Sequence, residues 1–228
     1  MDKIKKIDCE NVDELIKNIL NLPQDFVSNW IYRGESSIRY RLLPSALRKD
    51  GREKLRLISM IKNGTGSLDG YVIEEFSAIV GFYESANNQG LYVPYHKELQ
   101  TNHHILLHIL QDFVKDREIN PVYYELISLA QHYGIPTRFL DWTNDFYVAF
   151  FFAFRSAVYK IYENIARNSV KDGLTDKIVV WALDRGNLQI PPRDAPIRFI
   201  TPCYNNNPNL AAQKGTFSYY NFDIDLGS

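Results

Sequence analysis

The stretch Gln131-His132-Tyr133-Gly134-Ile135-Pro136-Thr137-Arg138-Phe139-Leu140-Asp141-Trp142-Thr143 concentrates side chains that do chemistry. Arg138 and Asp141 stand among Phe139, Leu140 and Trp142, directly ahead of the apolar run Phe146 to Phe154. A charge carried into an apolar core needs a partner there, so this is either a buried ion pair or a site. Upstream, Tyr32-Arg33-Gly34 adds a second candidate. A guanidinium at a strand end grips phosphate or carboxylate bidentately, and an adjacent glycine lets a ligand approach the backbone. Each hydrogen bond to such a charged group contributes roughly 1.5–3 kcal/mol. The plainer alternative is an arginine paired with Glu35 or Asp141. Taken together, the two segments read as a site.

Asp141-Trp142-Thr143 ends an expected strand and opens a helix, whose N-terminus favours anions. Thr143 or Asn144 can cap that helix or hydrogen-bond a ligand; capping is the commoner job. His132 can act as acid, base or donor, and Tyr133 can stack on a flat ring; both also suit plain packing. His104 and His108 stand four apart, with His103 beside them, but no acidic residue lies between them as in a zinc-protease helix. No metal is expected. No phosphate-binding glycine loop, nucleophile elbow or paired-cysteine site is present.

These side chains need a scaffold, and the pattern supplies one. Asn29 to Arg33 alternates as a strand closed by Gly34, and Asp13 to Leu20 forms a short helix before it. From about Gly51 to Tyr133 apolar stripes recur at helical spacing: Leu55, Ile58 and Ile61; then Val72, Phe76, Ile79, Val80 and Tyr83; then Leu106, Ile109, Leu110 and Phe113. Asn63 to Ser67 breaks the block. Asn120-Pro121 starts its last helix and Gly134 stops it. Thr137 to Asp141 is an expected strand. A long helix capped by Asn144 or Asp145 follows. Its first half is apolar all round and so expected to be buried; its second half is amphipathic, with Ala157, Val158, Ile161, Tyr162 and Ile165 on one face, and Gly173 ends it. Ile178 to Leu183, Arg198 to Thr201 and Thr216 to Tyr220 are further strands. The order suits one α+β domain.

Composition bounds the function. The 228 residues are 45% hydrophobic, with 15 Tyr and 13 Phe. The formal charge of −1 excludes a strongly basic nucleic-acid scaffold, though not a local basic groove. Cys9 and Cys203 carry no metal or disulfide spacing and read as free thiols of a reducing compartment. The longest apolar run has nine residues, short of the roughly 20 a membrane span needs. The N-terminus is no signal peptide. A cytoplasmic protein without a membrane partner is expected. The chain stops soon after its last expected strand, which leaves room for a longer parent protein.

Tyr32-Arg33-Gly34, Leu43-Pro44-Ser45-Ala46-Leu47-Arg48 and the thirteen-residue motif resemble the FRG-domain family, whose Phe-Arg-Gly signature is here Tyr-Arg-Gly. Gln213-Lys214-Gly215-Thr216-Phe217 is similar to a late family segment. The arrangement also resembles the ADP-ribosyltransferases. In their Arg-Ser-Glu class a strand carries an arginine for the pyrophosphate of NAD, a second strand ends Ser-Thr-Ser, and a helix follows. The resemblance implies an ADP-ribosyltransferase-like split β-sheet core, one domain over residues 1–228, with a helical insertion at about 51–133. Arg33 matches the NAD arginine; Asp141 and Thr143 take the outer serine places and Trp142 the middle one. Gln213 stands where those enzymes carry a catalytic glutamate. Either Glu35, Glu125 or Asp141 substitutes for that acid, or the reaction differs, or the domain binds without turnover.

The function implied is transfer of ADP-ribose from NAD, as a substrate and without metal, to RNA, DNA or protein. The resemblance suits a bacterial toxin or anti-phage effector, with an antitoxin or regulatory protein as a further partner. The catalytic set is then Arg33, His132, Asp141, Thr143 and Gln213. NAD contacts fall to Tyr32, Arg33, Gly34, Tyr133, Arg138 and Thr143. Two alternatives stand beside it: a non-catalytic sensor of NAD or ADP-ribose, and a metal-independent RNase using His132.

Overall fold

Five short segments of β-branched and aromatic residues pair into one antiparallel sheet, and the helices between them supply its cover. The computed structural model describes residues 5–23, 29–58, 68–94, 119–166, 177–186, 197–203 and 208–220. In chain order these form helix α1 (Val12–Leu20), strand β1 (Trp30–Glu35), helices α2 (Lys49–Ile58), α3 (Leu68–Asn88) and α4 (Tyr124–His132), strand β2 (Leu140–Thr143), helix α5 (Phe146–Ala166), strands β3 (Val179–Asp184) and β4 (Ile197–Ile200), the short helix α6 (Pro208–Ala212) and strand β5 (Gly215–Tyr220). The sheet order is β3-β1-β2-β5-β4. Mixed helix and antiparallel sheet bear out the α+β class. Among the described residues, no helix is long and apolar enough to cross a membrane.

The register explains how the sheet is covered. Tyr32 lies opposite Thr143, and Asp141 opposite Phe217, which puts all four on one face. On β1 this face meets α5: Tyr32 packs with Phe146 and Ala149. On β5 it meets α3 and α4: Phe217 and Tyr219 join a core with Val72, Phe76, Ile79, Tyr83, Leu126 and Ile127. The expected α3 stripe is thus core throughout. The helical block is no appendage, because it closes the half of the sheet that α5 does not reach. Ile31, Leu140 and Trp142 pack on the other face with Trp181 and Phe199.

Local chemistry sets several boundaries away from the sequence expectation. Gly34 does not close β1: it pairs with Val180, and the strand runs on to Glu35. The strand expected at Thr137 begins only at Leu140, because the backbone of the preceding residues is bonded elsewhere. The Thr137 N–H donates to Ser45 Oγ at 3.1 Å, its carbonyl accepts from the Ala46 N–H at 3.0 Å, and the Arg138 N–H donates to Glu75 at 2.6 Å. Asn120 caps a one-turn 3-10 helix, Pro121–Tyr123, that leads into α4. Gly134 stops α4 with φ of +85°, a left-handed backbone that favours glycine. Asp145 caps α5 by accepting from the Tyr147 N–H at 2.9 Å. The first half of α5 is not buried all round: Phe146, Ala149 and Ala153 are buried, whereas Tyr147, Phe151 and Phe154 are exposed. Only one face of the helix meets the sheet. The stripe expected at Leu106 to Phe113, the His103, His104 and His108 group, Ile61 and Gly173 lie outside the described residues.

Candidate functional site

β1 and β2 share a single ladder pair, Tyr32 opposite Thr143. Beyond it, a side chain takes over from the backbone. Arg33 Nη1 donates to the Asp141 carbonyl at 2.9 Å and lies 3.5 Å from Asp141 Oδ2. Its Nε and Nη2 donate to Glu35 Oε1 at 2.9 and 2.6 Å. Arg48, at the end of the Leu43–Arg48 segment, donates through Nε to the Leu43 carbonyl at 2.8 Å, which directs Nη2 to 3.7 Å from the same Glu35 oxygen. From α4, Gln131 donates to Asp141 Oδ1, while Thr137 Oγ1 donates to Gln131 Oε1. One polar chain therefore runs from Thr137 through Gln131, Asp141, Arg33 and Glu35 to Arg48.

Four members of this chain form the floor of a cleft of about 330 Å³, with Thr137 and Glu35 behind them. Arg33, Gln131 and Asp141 line it, with Ser45 and Arg48 and, from α2, Asp50 and Lys54. Lys54 Nζ donates to the Gly134 carbonyl, fastening α2 to the turn after α4. Desolvation by the surrounding protein raises the Asp141 pKa above the ordinary carboxylate value, against the pull of Arg33 and Arg48. Its side chain is 58% exposed and lines the cleft. Arg33 is only 12% exposed. An exposed carboxylate in a cleft also lined by two arginines and a lysine can steady a developing positive charge while anionic parts of the same ligand are held nearby.

The remaining sequence candidates fall elsewhere. Arg138 is 3% exposed and pairs with Glu75 of α3, itself 1% exposed. Thr143 is buried; its Oγ1 donates to the Gln213 carbonyl at 2.6 Å and accepts from the Asp145 N–H at 3.0 Å. Thr143 and Gln213 thus meet each other at the β2–α5 junction, and neither lines the cleft. Tyr32 points into the α5 contact, with its ring 5.9 Å from Phe146. The close approach permitted by Gly34 is that of α5, since a Cβ there would stand 1.8 Å from the Ala149 carbonyl oxygen. His132 and Tyr133 are exposed at the end of α4, and Tyr133 lies against Phe82. Among the described residues no group of three His, Cys, Asp or Glu is placed to hold a metal.

Gln131, Ser45, Arg48, Asp50 and Lys54 are the cleft residues to which sequence reasoning gave no role. Gln131 and the Leu43–Arg48 segment stood inside the recognised motifs, a signal that marked them without a chemistry. Asp50 and Lys54 carried none.

The FRG-domain model matches residues 28–160, a span that holds β1, the Leu43–Arg48 segment, α4 and β2. The chain belongs to the FRG-domain family. The cleft of this FRG domain, with Arg33, Arg48, Gln131 and Asp141 on its floor, lies wholly within the matched residues. No match is found among curated proteins or among solved structures.

Proposed function

We propose that this FRG domain is an NAD-dependent ADP-ribosyltransferase and that transfer takes place over Asp141. The observation that carries the reading is the exposed Asp141 carboxylate in a cleft that Arg33, Arg48 and Lys54 also line. It supports Asp141 as the missing acid: Gln213 stands aside, Glu35 is occupied by Arg33, and of Glu35, Glu125 and Asp141 only Asp141 lines the cleft. The nicotinamide–ribose bond breaks with its electron pair leaving on the nicotinamide nitrogen, and positive charge grows on the ribose. Ionised Asp141 stabilises that charge by preorganised electrostatics. Arg48 and Lys54 hold the pyrophosphate. Arg33, held by Glu35, fixes the β2 backbone and the orientation of Asp141 rather than gripping phosphate directly. A nucleophile on a protein or nucleic-acid acceptor then forms the new bond to the ribose.

Adenine-labelled NAD incubated separately with cell protein, total RNA and single-stranded DNA tests this. One pool acquires label, and Asp141→Asn lowers transfer roughly 10²–10³-fold with its melting temperature within a few degrees of the parent. Equal transfer by Asp141→Asn overturns the role given to Asp141. Absence of both transfer and free nicotinamide overturns the enzyme reading.

A second reading, a sensor that binds NAD or ADP-ribose without turnover, draws support from the engagement of Arg33 by two acids. Calorimetric NAD binding that survives with no product formed favours it.

A further inference from the structure

We propose that the outward face of α5 is the interface of a homodimer, two copies packing this helix antiparallel about a two-fold axis. α5 turns Phe146, Ala149 and Ala153 toward the sheet. On its other side Tyr147, Phe151, Phe154, Val158, Tyr162 and Ile165 are each between 47% and 69% exposed. Their spacing of four, three, four, four and three residues draws one stripe along the helix, the seam pattern of paired helices. A contiguous apolar stripe of this length marks an interaction surface, and among the described residues α5 has a core on a single side.

The size of the stripe sets the kind of partner. A helix of 21 residues is about 31 Å long. Aromatic side chains bring about 150–250 Å² each, so the exposed parts of these residues, with Tyr159 on the flank, amount to on the order of 700 Å². That is more than the largest apolar patch of most monomers, about 300–600 Å². It is close to the ~800 Å² that each partner of a stable complex contributes.

A second copy fits for three reasons. The net charge of −1 sets up no repulsion between copies. The stripe is nearly the same read in either direction: Tyr147 and Ile165 are equidistant from position 156, as are Phe154 and Val158, and Phe151 and Tyr162 match to within one residue. An antiparallel copy therefore sets aromatic against aliphatic or aromatic at every level, the self-complementarity a two-fold interface requires. A lipid surface would call for a row of basic residues beside the stripe. α5 offers only Arg155 and Lys160, and Lys160 Nζ sits 4.0 Å over the Tyr40 ring.

Size-exclusion chromatography with light scattering, on the full chain from about 1 to 100 μM, reads the result. The expected mass is twice 26.5 kDa. Phe151→Glu/Phe154→Glu, or Tyr162→Arg if the double variant does not fold, elutes at the monomer mass with unchanged far-ultraviolet circular dichroism. A wild-type chain that stays monomeric overturns the proposal, whether or not it binds phosphatidylserine vesicles. A dimer untouched by both variants overturns it as well. In a Cys9→Ser/Cys203→Ser chain, rapid self-cross-linking of Tyr162→Cys would overturn the antiparallel arrangement.

Discussion

Two arginines from the recognised motifs illustrate what residue types reveal and what they withhold. Arg33 and Arg138 were both candidates, since each stood beside apolar residues and needed a partner. Arg138 found Glu75, 63 positions away on α3, and the pair is sealed from water. Arg33 found Glu35 and Asp141, and that cluster opens on the cleft. Sequence states the need for a partner; only the tertiary fold decides which partner and whether a ligand can reach the pair. Arg138→Ala, which strands a buried carboxylate, is expected to cost about 3–5 kcal/mol in chemical denaturation, with the cleft chemistry lost only through unfolding. Asp141 predicts the opposite pattern. Its folded pKa is raised, so its contribution to stability is full below the unfolded value near 3.8 and is lost as pH rises through the folded value. Melting curves of Asp141→Asn and the parent therefore diverge in the variant's favour as pH rises above the unfolded value of 3.8. The transferase proposed above should lose NAD turnover on the acid side, because the protonated acid no longer steadies a cation. A stability difference flat with pH would remove this account of Asp141.

At the scale of elements, those whose burial coincides with their apolar periodicity followed their pattern, and those whose backbone bonds or cover are set by distant residues did not. The α3 stripe, Val72 to Tyr83, was readable because periodicity and burial coincide. β2 was misplaced because Thr137 and Arg138 have strand-like neighbours but give their backbone bonds to Ser45, Ala46 and a glutamate. α5 was read as buried throughout its first half because periodicity reports apolar faces, not what covers them. Gly34 shows the same limit: a glycine beside an arginine suggested room for a ligand, and the room is filled by Ala149. Gly34→Ala is accordingly expected to push α5 off β1. It costs at or above the top of the ~1–3 kcal/mol range for overpacking, because the obstacle is backbone that cannot rotate away. Full stability in this variant would show that the β1–α5 contact yields more readily than its geometry implies.

For the molecule as a whole, the class and most strands were legible, whereas the sheet order was not, because nothing local in β5 says that it lies between β2 and β4. That position has a consequence for synthesis on the ribosome. β2, which carries Asp141, emerges some 70 residues before β5, which at about 5–20 residues per second is a delay of roughly 4–14 s. Throughout it, one edge of β2 has no strand to pair with, and Phe139 lacks the Phe217 and Tyr219 rings that cover it in the finished core. A nascent chain thus keeps an adhesive edge and an uncovered ring until β5, the last described strand, arrives.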